Sequence, residues 1–168
     1  MQTSLVMTVL GPDRPGLVRT LADVVREHDG SWLESRMTRL AGQFAGVVRV
    51  ECPSAKVNSL ADALTALKSQ DLTVQTVRED VSEQAAQATM RVEVTGNDRP
   101  GIVSELTAAI SAAGGNVEEL VTDLESAPMS GHALFRARGV ISMPPEAEKS
   151  AMIAVIERLS SDLTVDIA

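Results

Sequence analysis

Hydrophobic and polar positions along this chain change period several times, and the changes delimit elements. Leu5, Met7 and Val9 alternate with Val6 and Thr8, the period-two pattern of a strand, and Gly11-Pro12 ends it. Leu17, Val18, Leu21, Val24 and Val25 then recur at three- and four-residue spacing, which predicts a helix that Asp29-Gly30 closes. Two β-like segments, Ser31 to Leu40 and Gln43 to Glu51, are joined at hairpin spacing by Ala41-Gly42. After a break at Pro53-Ser54, the positions Val57, Leu60, Ala61, Leu64 and Leu67 predict a second helix, and Leu72 to Val77 a last strand.

The same order returns in the second half. Strand patterns fall near Thr89 to Thr95, Asn116 to Leu124 and His132 to Ser142. A helix is predicted near Gly101 to Ala113 with Gly114-Gly115 as its stop. Another is predicted to be opened by Pro144-Pro145 and to carry Met152, Val155, Ile156 and Leu159. Asp162-Leu163-Thr164-Val165 echoes Asp71-Leu72-Thr73-Val74. The echo is sharpest where Gly11-Pro12-Asp13-Arg14-Pro15-Gly16-Leu17-Val18 reappears as Gly96-Asn97-Asp98-Arg99-Pro100-Gly101-Ile102-Val103. The chain is therefore read as a tandem duplication with one domain over 1–80, a polar, alanine-rich linker over 81–87 and a second domain over 88–168.

Strand, helix, strand, strand, helix, strand is the order of the ferredoxin-like α/β (α+β) fold, an antiparallel four-stranded sheet with both helices on one face. Units of this size bury a limited share of their surface, so the halves are expected to pack together. The repeated motif lies between a strand and a helix start. Asp13 is read as the N-cap, with Pro15 tolerated in the first turn. Unpaired amides at such a terminus favour a carboxylate or phosphate, and Gly16 and Gly101 allow close approach to the backbone.

Composition narrows the chemistry. The net charge is −8 and basic residues form no run, which argues against direct nucleic-acid binding. Phe44, Phe135 and Trp32 are too few to build stacking platforms. The single cysteine, Cys52, fits a reducing cytoplasm and is read as an unreactive strand-end residue. No signal peptide or membrane-length apolar run is legible. His28 is read as a helix-end residue, and neither His132 nor the acidic stretch Glu118, Glu119, Asp123 and Glu125 is read as a metal site. No cofactor fingerprint, phosphate loop or Ser-His-Asp spacing is present, and Ser130-Gly131-His132 is no nucleophile elbow.

The Gly-x-Asp-Arg-Pro-Gly-Leu/Ile-Val signature, followed after about a dozen residues by a glycine and a new strand, resembles the ACT domain, a ferredoxin-like regulatory module that binds amino acids. Two copies with no catalytic domain attached are similar in layout to the glycine cleavage system transcriptional regulator family. The resemblance implies a non-enzymatic regulator that takes glycine or another small amino acid at an interface between domains and acts on a partner protein such as a transcription factor. The loop positions it implies are Asp13, Arg14, Pro15, Gly16 and Leu17, with Asp98, Arg99, Pro100, Gly101 and Ile102 in the second copy. It also implies Asn116 at the start of the next strand, where the first copy has Ser31. Asn97 and Asn116 make the second loop the richer in polar chemistry, while Pro12 and Ser31 make the first look closer to a structural turn. Two alternatives remain open: an acylphosphatase-like hydrolase using Arg99 and Asn116, against which Asp98 would repel phosphate, and a ligand-free homodimerisation module.

Overall fold

The computed structural model describes residues 1–79, 87–126 and 133–167. Linker residues 81–86 and the trio Ser130, Gly131 and His132 lie outside the described residues. The chain divides into two compact units, Met1–Ser82 and Glu83–Ala168.

In the first unit the order is β1 (Gln2–Pro12), α1 (Leu17–Glu27), β2 (Ser31–Leu40), β3 (Gln43–Pro53), α2 (Val57–Ala66) and β4 (Thr73–Arg78). The strands form an antiparallel sheet in the order β2-β3-β1-β4. In the second unit β5 (Ala88–Asn97), α3 (Ile102–Ala112), β6 (Asn116–Ser126), β7 (Ala133–Met143), α4 (Lys149–Glu157) and β8 (Thr164–Ile167) repeat it as β6-β7-β5-β8. Each unit is thus the expected ferredoxin-like α+β fold.

The period-two pattern of β1 puts Leu5, Met7 and Val9 on one face, and there they meet Leu21 and Val25 of α1 and Leu60 and Leu64 of α2. Met90, Val92 and Val94 of β5 meet Leu106 and Ile110 of α3 and Met152 and Ile156 of α4 in the same way. Each fully buried aliphatic side chain contributes roughly 1.5–3 kcal/mol of burial free energy. Both helices of a unit pack on one face because only that face of the sheet is apolar throughout. The outer edges behave differently: β2 and β6 bury no residue fully. Each edge also shifts register at the same place, between Trp32 and Glu34 in one copy and between Val117 and Glu119 in the other.

Two local details differ from the pattern-based expectation, and the helix stops agree with it. Neither Asp13 nor Asp98 caps a helix: the residues before α1 and α3 are Gly16 and Gly101, at φ of 90° and 89°, with no side-chain cap. Pro15-Gly16 forms a turn whose last residue is left-handed, and that turn delays the helix start to Leu17, four residues beyond Asp13. Pro144 and Pro145 do not open α4, which begins at Lys149 after an intervening turn. At the end of α1 the left-handed residue is Asp29, with φ of 55°, and the amide of Gly30 returns to the carbonyl of Val25 at 2.9 Å, a Schellman-type closure. The second copy uses Gly114 in that place, with Gly115 bonding Ile110.

Candidate functional site

The strand-to-helix loop of each unit is built the same way. Glycine is required at 16 and 101 by conformation and not by space, since a left-handed residue costs roughly 1–2 kcal/mol with a Cβ and no neighbour lies within 4 Å of where that Cβ would stand. The ground beside these backbones is therefore open. The loop is anchored to the hairpin of its own sheet: the amide of Asp13 donates to the carbonyl of Gly42, and that of Asp98 to Ala133, each at 2.9 Å. In α3 the first return bond inside the helix runs from Glu105 to Gly101 at 2.9 Å, and the amide of Ile102 bonds the carbonyl of Arg99 at 3.2 Å. The amides of Val103 and Ser104 are left without acceptors in the helix and carry its partial positive charge.

In the second unit this loop borders a cavity of about 340 Å³. Asp98, Arg99, Gly101 and Ile102 line it together with Val103 and Ser104 at the start of α3, Thr122, Asp123 and Leu124 of β6, and Phe135 of β7. Its chemistry is mixed. The carboxylates of Asp98 and Asp123, the hydroxyls of Ser104 and Thr122 and the guanidinium of Arg99 share the lining with the apolar side chains of Ile102, Val103, Leu124 and Phe135. Asp123 accepts from Arg138 at 3.0 Å, while the neighbouring Arg136 reaches Glu125 at 2.9 Å and lies 3.2 Å from Glu93. The acidic residues Asp123 and Glu125 are thus balanced by arginines of β7, and the described residues contain no cluster of three or more metal-ligating side chains.

The two loop arginines are both held by the protein. Arg99 donates to Glu105 in the first turn of α3 at 2.7 Å. Arg14 has Thr20 at the matching helix position and instead donates to the backbone carbonyl of Gln70 at 2.7 Å. Asp13 faces Arg39 of β2 at 3.5 Å. His28, at the end of α1, places Nδ1 2.8 Å from the carbonyl of Val24.

The expected site residues do not all meet within one unit. Asn97 ends β5 at the loop, but Asn116 pairs with Ser142 at the far end of β6, and Asp123 is seven residues further along that strand. At about 3.3 Å per residue the gap exceeds roughly 20 Å. Ser31 stands at the same far end of the first sheet, opposite Glu51. Arg99 and Asn116 of one unit therefore do not attend the same phosphate, and the acylphosphatase-like alternative has no basis within a single unit. The sequence reading missed Thr122, Asp123, Leu124 and Phe135 as neighbours of the loop; the β6–β7 register supplies them, and no local motif signals it.

By fold and by sequence the chain is two copies of one ferredoxin-like regulatory-type module: the ACT domain family model matches residues 3–79 and 88–168, and the chain belongs to that family. It is 25% identical over 165 residues to the glycine cleavage system transcriptional repressor of Escherichia coli, spanning 96% of this chain and 86% of the relative. A crystal structure of an unknown protein from Galdieria sulphuraria superposes with a TM-score of 0.86 at 25% identity, covering 99% of this chain and 98% of the other. A structure provisionally assigned as a glycine cleavage system transcriptional repressor superposes at 0.73, with 17% identity over 100% and 98% of the two chains, and shares the fold. Among the described residues no helix is long and apolar enough to cross a membrane.

Proposed function

We propose that the chain is a non-enzymatic cytoplasmic regulator that takes a small amino acid in the second unit and passes the state of that site to a protein partner, a transcription factor of amino-acid metabolism. The observation that carries this reading is the cavity between the Asp98–Ile102 loop and β6, whose volume falls at the lower end of small-ligand pockets. An amino acid has two opposite charges close together, and the cavity offers a complement to each. The amides of Val103 and Ser104 suit the α-carboxylate, and the carboxylate of Asp98 suits the ammonium. The named relative from Escherichia coli supports the regulatory role. The absence of a basic run in the sequence favours control by protein contact over contact with DNA. For Asn116 to reach a ligand held by the Asp98–Ile102 loop, it has to come from the second unit of another copy of this chain.

The test is a thermal-shift screen against glycine and the other common amino acids, followed by calorimetry. A ligand that binds only the folded state stabilises by about 2.7 kcal/mol at a hundred times its Kd. The expected outcome is a dose-dependent rise in Tm for at least one amino acid, lost in Asp98→Ala and kept in Asp13→Ala. No shift with any of them, and silence in calorimetry, overturns the proposal.

A further inference from the structure

The two loops share a fold but differ in what fills the space beside them. Leu124 of β6 pairs with Phe135 of β7, and the matching residues of the first unit, Arg39 of β2 and Phe44 of β3, pair in the same way. Leu124 and Asp98 both line the second-unit cavity. Arg39 and Asp13, at the corresponding positions, are joined by an ion pair with Nη1 3.5 Å from Oδ2. An arm of the edge strand thus reaches across to the loop in one copy, where the other has an apolar side chain and open volume. The two carboxylates differ accordingly: Asp13 meets a guanidinium of its own chain, and no salt bridge to Asp98 occurs among the described residues.

We infer that Arg39 is a tethered occupant of the first loop, a cation of the protein standing where a ligand's ammonium would otherwise approach Asp13, so that the duplicated chain senses with one loop. The inference rests on the reading of the second-unit cavity as an amino-acid site. Arg39 is the residue that separates the two copies functionally. The motif Asp-Arg-Pro-Gly is intact in both, and both glycines hold the same left-handed conformation. The arm does not seal the loop permanently. Its guanidinium side chain is 73% exposed, and exposed pairs of this kind change an equilibrium by up to about five-fold. A ligand at the first loop has to break that pair and displace the arm, and a ligand at the second does neither.

The backbone amide signals of Gly16 and Gly101 in an NMR titration report the two loops separately, in the full chain, with glycine and each other common amino acid as probes. In the natural sequence Gly101 is expected to move at lower concentration than Gly16. Arg39→Leu is expected to lower the midpoint for Gly16 about five-fold and leave that of Gly101 in place. The reciprocal Leu124→Arg is expected to raise the Gly101 midpoint by a similar factor, with unchanged dispersion elsewhere showing that the unit remains folded. If Gly16 and Gly101 move together in the natural chain, or if Arg39→Leu leaves the Gly16 midpoint where it was, the inference is overturned while the sensing proposal stands. If no amino acid moves Gly101 in the natural chain, the sensing proposal fails. The role of Arg39 is then decided by Gly16 alone: movement in Arg39→Leu supports it, and none in either chain overturns it.

Discussion

The backbone amide of Asn97 donates to Oδ2 of Asp162 at 2.9 Å, so the last residue of β5 is tied to the turn that precedes β8. Because Asn97 is followed directly by Asp98, this bond fixes the point from which the candidate ligand loop departs. Ser160 also donates to Asp162 through its hydroxyl. The two donors, Ser160 foremost, hold the Asp162 carboxyl below its ordinary value of 3.8. Its folded pKa is depressed, so its contribution to stability is present above the ordinary carboxylate range and is lost as pH falls through the folded value. Acid unfolding of the second unit is therefore expected to flatten in Asp162→Asn. An identical pH dependence of Tm below about pH 4 in the variant and the natural chain would contradict the assignment.

Gly11 and Gly96 sit at matching places in β1 and β5, yet alanine should cost more at the first. A Cβ at Gly11 would stand 2.6 Å from the backbone carbonyl oxygen of Asp71, which cannot rotate away. At Gly96 it would stand 2.5 Å from a terminal methyl of Leu163, a side chain with other rotamers. Overpacking of this kind costs roughly 1–3 kcal/mol, and Gly11→Ala is expected near the top of that range with Gly96→Ala near the bottom. Calorimetric unfolding of the two variants gives the order directly.

Arg99→Ala is expected to change stability by less than about 1 kcal/mol, because its pair with Glu105 is partly exposed at both ends. A loss above about 2 kcal/mol in urea unfolding would mean that the guanidinium does structural work that this pair does not account for. In unit one the same substitution at Arg14 removes a bond to the Gln70 carbonyl and should also be mild.

Cys52 is buried among the aliphatic side chains of the first core, and burial pushes its thiol pKa up. It should resist a thiol reagent at pH 8 in the folded protein and react at one equivalent per chain in denaturant, the chain having a single cysteine. Rapid labelling without denaturant would show that the edge of this core opens on the timescale of the reaction.

The repeat, the element order and the apolar faces were legible in the sequence because they depend on periodicity, and alternation along β1 or three-four spacing along α1 has one good solution on a sheet covered by helices. The stop signals at Asp29-Gly30 and Gly114-Gly115 were legible for the same reason, since backbone chemistry there is local. The capping role read for Asp13 failed because Pro15 and a left-handed Gly16 displace the helix start by several residues, a choice made by the turn as a whole. Only the tertiary structure could show that Asn116 stands at the opposite end of its sheet from Asp98, since that follows from the antiparallel register of three strands. It alone also set Leu124 and Arg39 beside their loops, more than twenty residues away in sequence. Local periodicity fixes which face a side chain takes; which loop it then meets is decided by how the strands align.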